Sequence, residues 1–126
     1  MRKVAGCLIE RNGKFLILHR SATDERRPGI WEMPAGRPDG DETPEENALR
    51  ETKEESGLKA EIVKLLGVNK TIVDGEEKNF YCFLAKADGE VKLSFEHDDL
   101  AWKTKEEILA IEKLSQDLKY FINKLI

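Results

Sequence analysis

Scarce cysteine, histidine and aromatic residues rule out several kinds of protein for this 126-residue chain. Its two cysteines, Cys7 and Cys82, both fall in apolar runs. They read as buried free thiols in a reducing, cytoplasmic setting rather than as a disulfide framework. The two histidines, His19 and His97, have no spacing that suits a zinc site. No run approaches the roughly 20 apolar residues of a membrane span. The opening Met1-Arg2-Lys3 lacks the apolar core and cleavage site of a signal peptide. Positive charge is not in excess either. A net charge of −4 argues against broad attraction to nucleic acid or to a membrane surface. Repeats, low-complexity tracts and interdomain linkers are missing as well. What remains is one domain over 1–126, long enough to bury a real core, expected as a monomer or homodimer.

Acid is what the chain has in plenty, and three glutamates are placed unusually. In Arg50-Glu51-Thr52-Lys53-Glu54-Glu55-Ser56-Gly57, three carboxylates recur at helical spacing. Residues three and four apart share a helix face. Like charges there oppose the helix by a few tenths of a kcal/mol per pair. A bound cation would remove that cost. Clustered carboxylate oxygens suit a hard divalent ion such as Mg²⁺, which completes its shell with water and substrate phosphates. A solvated acidic face is the plainer alternative.

The residues upstream decide between these readings. The stretch runs Gly36, five residues, Glu42, seven residues, then Arg50-Glu51-Thr52-Lys53-Glu54-Glu55-Ser56-Gly57-Leu58. Thr43-x-x-Glu46 is a capping box with Pro44 at the first helical position, and Gly57 supplies a left-handed stop. A helix is therefore expected over 44–56. Ala48, Leu49 and Thr52 should form its inner stripe, with the Thr52 hydroxyl bonding back to the Ala48 carbonyl. Glu46–Arg50 and Arg50–Glu54 are spaced as ion pairs.

Over 36–58 the pattern resembles the Nudix box, Gly-x5-Glu-x7-Arg-Glu-U-x-Glu-Glu-x-Gly-U, in which U is bulky and aliphatic. Seven fixed positions match. Thr52 departs from the first U, and Leu58 fills the second. The resemblance to the Nudix (MutT-like) hydrolases implies an α/β fold, an α/β/α sandwich with a mixed sheet between helices. It also implies hydrolysis of a nucleoside diphosphate linked to another group, by water attack at phosphorus with Mg²⁺ or Mn²⁺. By position, Glu51, Glu54 and Glu55 match the metal-binding glutamates, and Gly36 matches the glycine that shapes the loop. Glu51 is the first candidate to combine metal binding with base work, and Glu54 shares the catalytic face. Glu96, before Trp102, is the second candidate as base or metal ligand, with Asp98 and Asp99 as rivals.

The remaining pattern reads as strands and two more helices. Runs 3–10 and 14–19 flank Asn12-Gly13, a strong hairpin signal. Segment 29–33 could be a short strand, 59–68 and 78–86 two longer ones, and 91–94 a last one before an acidic loop over 95–102. Thr104-x-x-Glu107 opens a helix to about 110. Ser115 caps another, in which Leu118, Phe121, Ile122 and Leu125 repeat at helical spacing. The Pro28-Gly29-Ile30-Trp31 segment is similar to nucleoside-triphosphate hydrolases of the family, and Pro34-Ala35-Gly36 also occurs in its ADP-ribose hydrolases. Arg20, Arg26, Arg27 and Trp31 are the candidate substrate contacts. A (deoxy)nucleoside triphosphate is the favoured substrate, ahead of ADP-ribose or another sugar nucleotide. A nucleotide-sensing module without catalysis would be expected to have lost box carboxylates.

Overall fold

The computed structural model describes residues 2–125. The chain order is β1 (Arg2–Arg11), β2 (Lys14–Arg20), β3 (Trp31–Glu32), β4 (Ala35–Gly36) and α1 (Pro44–Ser56). It continues with β5 (Glu61–Val73), β6 (Glu76–Lys86), β7 (His97–Lys103), α2 (Lys105–Leu109) and α3 (Gln116–Lys124). The strands form one mixed sheet in the order β3-β2-β1-β6-β5, with β4 also pairing β1 and β7 pairing β2. Only β1 and β6 run parallel.

Side chains of successive strand residues point to opposite faces, and the central strands bury both. From β1, Leu8 joins one core with Phe15, Ile17, Phe80, Ile108, Leu118, Phe121 and Ile122. Its neighbours Cys7 and Ile9 join a second core with Leu16, Leu18, Ala48, Leu58 and Phe83. Helices α2 and α3 thus cover one face and α1 the other, as an α/β/α sandwich requires. Both cysteines are buried free thiols. Burial pushes each thiol above its ordinary range.

Local signals formed as read. Asn12 and Gly13 take positive φ (54° and 77°), the geometry of a tight primed hairpin turn. Thr43 accepts from the Glu46 N–H while the Glu46 side chain accepts from the Thr43 N–H, and Gly57 ends α1 at φ 74°. Thr104 repeats this capping box at α2, and Ser115 caps α3.

Four expectations need correction. The inner stripe of α1 is Asn47, Ala48, Thr52, Glu55 and Ser56 rather than one containing Leu49, so a carboxylate lies on the buried side. The Thr52 hydroxyl makes no back-bond to Ala48 and lies against the Cys7 thiol. The strand ending near 68 runs on to Val73, because the tight Asp74-Gly75 turn lets Asn69, Lys70 and Thr71 pair with 78–80. Finally, 91–94 is not a strand. Val91 and Leu93 pack on the second core, and the Lys92 N–H donates to the Ser56 carbonyl at 2.8 Å. The strand begins at His97, where the free edge of β2 accepts it from Phe15↔Lys103 to Arg20↔His97. Exposed Asp98 and Asp99 on that strand gave it the look of a loop.

Gly6 is the tightest crossing beneath the site. A Cβ there would lie 2.5 Å from both the Pro34 carbonyl and the Ala35 Cβ, where β4 crosses β1. Gly6→Ala is therefore expected to destabilise the fold by about 1–3 kcal/mol through overpacking, measured by chemical denaturation. Unchanged stability would mean that β4 can move off β1 freely.

Candidate active site

The glutamate helix is held by one guanidinium. Arg50 donates to Glu42 through Nε (2.8 Å) and Nη2 (3.0 Å), and Nη2 also donates to the Arg37 carbonyl at 2.9 Å. Its Nη1 reaches Glu51 at 3.0 Å and Glu54 at 3.1 Å. The expected Glu46–Arg50 pair is not made, because Glu46 is committed to the capping box. Fork geometry lets Arg50 bind three carboxylates and a carbonyl at once, so it ties the loop at 37–42 to the helix.

The three box glutamates differ sharply in environment. Glu54 is exposed, Glu51 is half-buried, and Glu55 is only 3% exposed. Burial pushes the Glu55 carboxyl up to about 9; the Ala35 N–H, donating at 3.1 Å, opposes this, and the charges of Glu32, Glu51 and Glu96 add to it. Burial also raises Glu51, against the pull of Arg50. The Glu51 carboxyl contacts that of Glu55 and lies where any Cβ on Gly36 would collide with it. Gly36 therefore has a steric job: it opens the space that the Glu51 carboxylate fills.

Opposite the helix stands a mostly basic wall. Arg20 closes β2, where a register shift at His19/Arg20 re-aims the strand. It bonds Asp24 at 2.8 Å and Glu32 at 3.0 Å, and stands 4.0 Å from Glu96. The other Asp24 oxygen accepts the N–H groups of Arg26 and Arg27, each at 2.9 Å. Those bonds and Arg20 hold Asp24 down at about 2. Arg26 and Arg27 are thereby presented from an ordered turn. The two walls enclose a cleft of about 850 Å³, lined by Arg20, Arg26, Arg27, Gly36, Glu51, Glu54, Glu55 and Glu96 among others.

Of the sequence candidates, Trp31 and the two rivals of Glu96, Asp98 and Asp99, are not part of that lining. The Trp31 backbone is clamped by Lys113 and Ser115, and its ring packs beside His19 at 4.9 Å and on the first core. Among the acids at 96–99, Glu96 lines the cleft, Asp98 pairs with His19 at 2.6 Å, and Asp99 bonds the Leu100 N–H at 2.8 Å. Sequence reasoning passed over Glu32, Arg37, Arg2, Lys78 and Asp117, which also line the cleft. Glu32 had a signal: a charge in a short, otherwise apolar strand.

Among the described residues, no three acidic, histidine or cysteine side chains form a ready-made metal cage. Arg50 holds Glu51 and Glu54, while Glu55 turns to the Ala35 N–H. The donor set still suits a divalent cation. It is all oxygen, two of its carboxyls touch, and one is buried with its pKa raised for want of a counter-charge.

A cleft with carboxylates on one wall and arginines on the other defines a hydrolase-type site for a polyanion, set on an α/β/α sandwich. The model of the NUDIX domain matches residues 1–125, and the chain belongs to the Nudix family, whose hydrolases act on pyrophosphate bonds and generally use divalent metals. A MutT-like protein of Streptomyces ambofaciens is 34% identical over 83% of this chain, which spans 64% of that relative's length. The CTP pyrophosphohydrolase of Escherichia coli is 28% identical over 86% of this chain and 80% of its own. A MutT Nudix hydrolase from Burkholderia pseudomallei superposes with TM-score 0.88 at 26% identity, covering 99% of this chain and 98% of that one.

The raised Glu55 pKa sets a pH signature for the metal-free protein. Unfolded, this group ionises near 4.5; folded, it holds its proton to about 9. The folded state therefore binds more protons between those values, and stability must fall as pH rises through that window. Thermal melts in chelator should show this decline, and Glu55→Gln should flatten it. A decline of equal slope in the variant would place the titration elsewhere.

Proposed function

We propose that this chain is a metal-dependent pyrophosphohydrolase that converts a (deoxy)nucleoside triphosphate to the monophosphate and pyrophosphate. The observation that carries this reading is the pairing, across one cleft, of Glu51, Glu54 and Glu55 with Arg20, Arg26, Arg27 and Arg37. Glu51, Glu54 and Glu55 would hold Mg²⁺, or Mn²⁺ in its place. Bound there, the ion would supply charge neutralisation of the polyphosphate and would lower the pKa of a water near the reacting phosphorus.

The protein's own groups divide the remaining work. Arg26 and Arg27, ordered by Asp24, bind phosphate oxygens and orient the chain of phosphates. Glu96 takes the proton of the attacking water. It suits that role better than Glu51, whose carboxylate is engaged by Arg50 and Glu55, whereas the nearest guanidinium to Glu96 is 4.0 Å away. As water's oxygen bonds phosphorus, the anhydride bond breaks and pyrophosphate leaves with the electron pair. Trp31 holds β3 and the arginine turn in place rather than touching the nucleotide.

A triphosphate is favoured over ADP-ribose or another sugar nucleotide because five arginines, Arg2, Arg20, Arg26, Arg27 and Arg37, line the cleft, more cationic wall than a diphosphate bridge needs. The relative named as a CTP pyrophosphohydrolase supports the same class. A sensor without catalysis fits poorly with three retained box carboxylates. Residues 1–126 act as one domain in this proposal, in the cytoplasm, where two buried free thiols remain reduced. No helix among the described residues is long and apolar enough to cross a membrane.

The test is a panel of CTP, dCTP, 8-oxo-dGTP, other nucleoside triphosphates, ADP-ribose and diadenosine tetraphosphate with Mg²⁺, products resolved by chromatography. Monophosphate and pyrophosphate from a triphosphate are expected, with no turnover in excess chelator. Fastest turnover of ADP-ribose would move the substrate class; turnover surviving chelator would overturn the metal role.

Glu54→Gln and Glu55→Gln should each lower kcat at least about a hundredfold, and Glu96→Gln should do likewise. Asp98→Asn and Asp99→Asn should stay near wild type, since neither side chain lines the cleft. A crippled Asp98→Asn beside an active Glu96→Gln would reassign the base.

A further inference from the structure

Glu32 is a nearly buried carboxylate, 7% exposed, that the reaction described above does not use. It lies on β3, the strand next to β2, and reaches across β2 to the first residue of β7. Its Oε2 accepts two charged or polar donors, Arg20 Nη2 at 3.0 Å and His97 Nε2 at 2.9 Å. Its Oε1 faces Arg27 Nη1 at 3.8 Å. The His97 side chain is wholly buried, and Glu32 is the partner of its Nε2.

Two consequences follow from that geometry. Glu96 is the residue before His97, so anchoring the His97 ring fixes where the Glu96 side chain enters the cleft. Arg20 has Asp24 and Glu32 as close partners and Glu96 only at 4.0 Å. With Glu32 in place, Nη1 and Nη2 of the guanidinium are taken by Asp24 and Glu32 without closing on Glu96. Without it, Arg20 has a vacant donor pointing into the cleft, and Glu96 is the nearest free carboxylate to take it.

We infer that Glu32 is a positioning residue for hydrolysis: it anchors His97 and holds Arg20 off Glu96, keeping that carboxylate free for the attacking water. The inference rests on the proposed role of Glu96. Arg27 lies 3.8 Å from Glu32 but next to Arg26 in a turn ordered by Asp24, so altering Glu32 moves Arg20 first, and measuring cation and substrate affinity separately distinguishes the inference from a loss of binding.

Four enzyme forms test it: wild type, Glu32→Gln, Glu96→Gln and the double variant, each with Mg²⁺ and the triphosphate hydrolysed fastest in the panel. Glu32→Gln should lower kcat about tenfold or more with KM changed less than about twofold, the pattern of an effect felt in the transition state. The double variant should be no slower than Glu96→Gln, because residues acting as a unit are not additive. Thermal stabilisation by Mg²⁺ alone, and calorimetric affinity for a non-hydrolysable triphosphate analogue, should match wild type.

His97→Ala should reproduce the loss, and His97→Gln, whose amide nitrogen can take the place of Nε2, should recover most of it. This second pair serves even where Glu32→Gln folds poorly. Independent, multiplying losses in the double variant would overturn the inference, as would a raised KM at unchanged kcat or equal losses in both His97 variants. Wild-type rates in Glu96→Gln would instead remove the proposed base, a different outcome from additivity with a crippled Glu96→Gln.

Discussion

One guanidinium sets the geometry on which the site depends. Arg50 spends its donors on Glu42, the Arg37 carbonyl, Glu51 and Glu54, and so joins a loop to the face of a helix. A lysine could not do this, since a point charge on a flexible stem lacks the planar fork that meets several acceptors at once. The loop so fixed brings Gly36 against Glu51 and the Ala35 N–H against Glu55. Each is a close approach of backbone to carboxylate, and each constrains where a cation can sit. The capping box supports the same arrangement by occupying Glu46, which would otherwise compete for Arg50.

The cleft is electrostatically divided rather than simply acidic. On its helix wall, burial first and then the nearby charges of Glu32, Glu51 and Glu96 make Glu55 keep its proton up to about pH 9, a state that a divalent cation would relieve. Its opposite wall sets Arg20 beside Asp24, Glu32 and Glu96 and Arg27 beside Glu32, and these carboxylates limit the wandering of both guanidiniums. Burial works against the charge of Glu32, yet His97, Arg20 and Arg27 outweigh it and keep that carboxyl below its usual range. Two carboxylates a short distance apart in sequence space thus meet opposite fates: Glu55 is held neutral, Glu32 ionised. Environment, not residue type, assigns their roles.

The sheet explains how distant segments reach this cleft. Three neighbouring strand ends, at Arg20, Glu32 and His97, converge because β2 pairs with both β3 and β7. The Asn12-Gly13 hairpin turn is not part of the cleft lining, whereas Asp74 of the β5–β6 turn is, beside irregular segments: the short pairing of β4 with β1, the Asp24 turn and the start of β7. These segments can supply side chains at angles that regular strands cannot, while two packed cores hold their roots in place.

The sequence by itself determined what depends on near neighbours. Helix α1 starts at its capping box and stops at Gly57, and the Asn12-Gly13 hairpin forms, because turn dihedrals and caps are settled within a few residues. The box spacing also placed Gly36, Glu51, Glu54 and Glu55 together, since a helix converts spacing into direction. Tertiary structure decided what depends on partners far along the chain. Acidic residues hid β7, which exists because the edge of β2 needed hydrogen bonds. Trp31 turned to His19 and the core rather than to the cleft. Burial of Glu55 against the Ala35 N–H, 20 residues back, and the meeting of His97 with Glu32, 65 residues apart, both depend on contacts too long-range for any local pattern to encode.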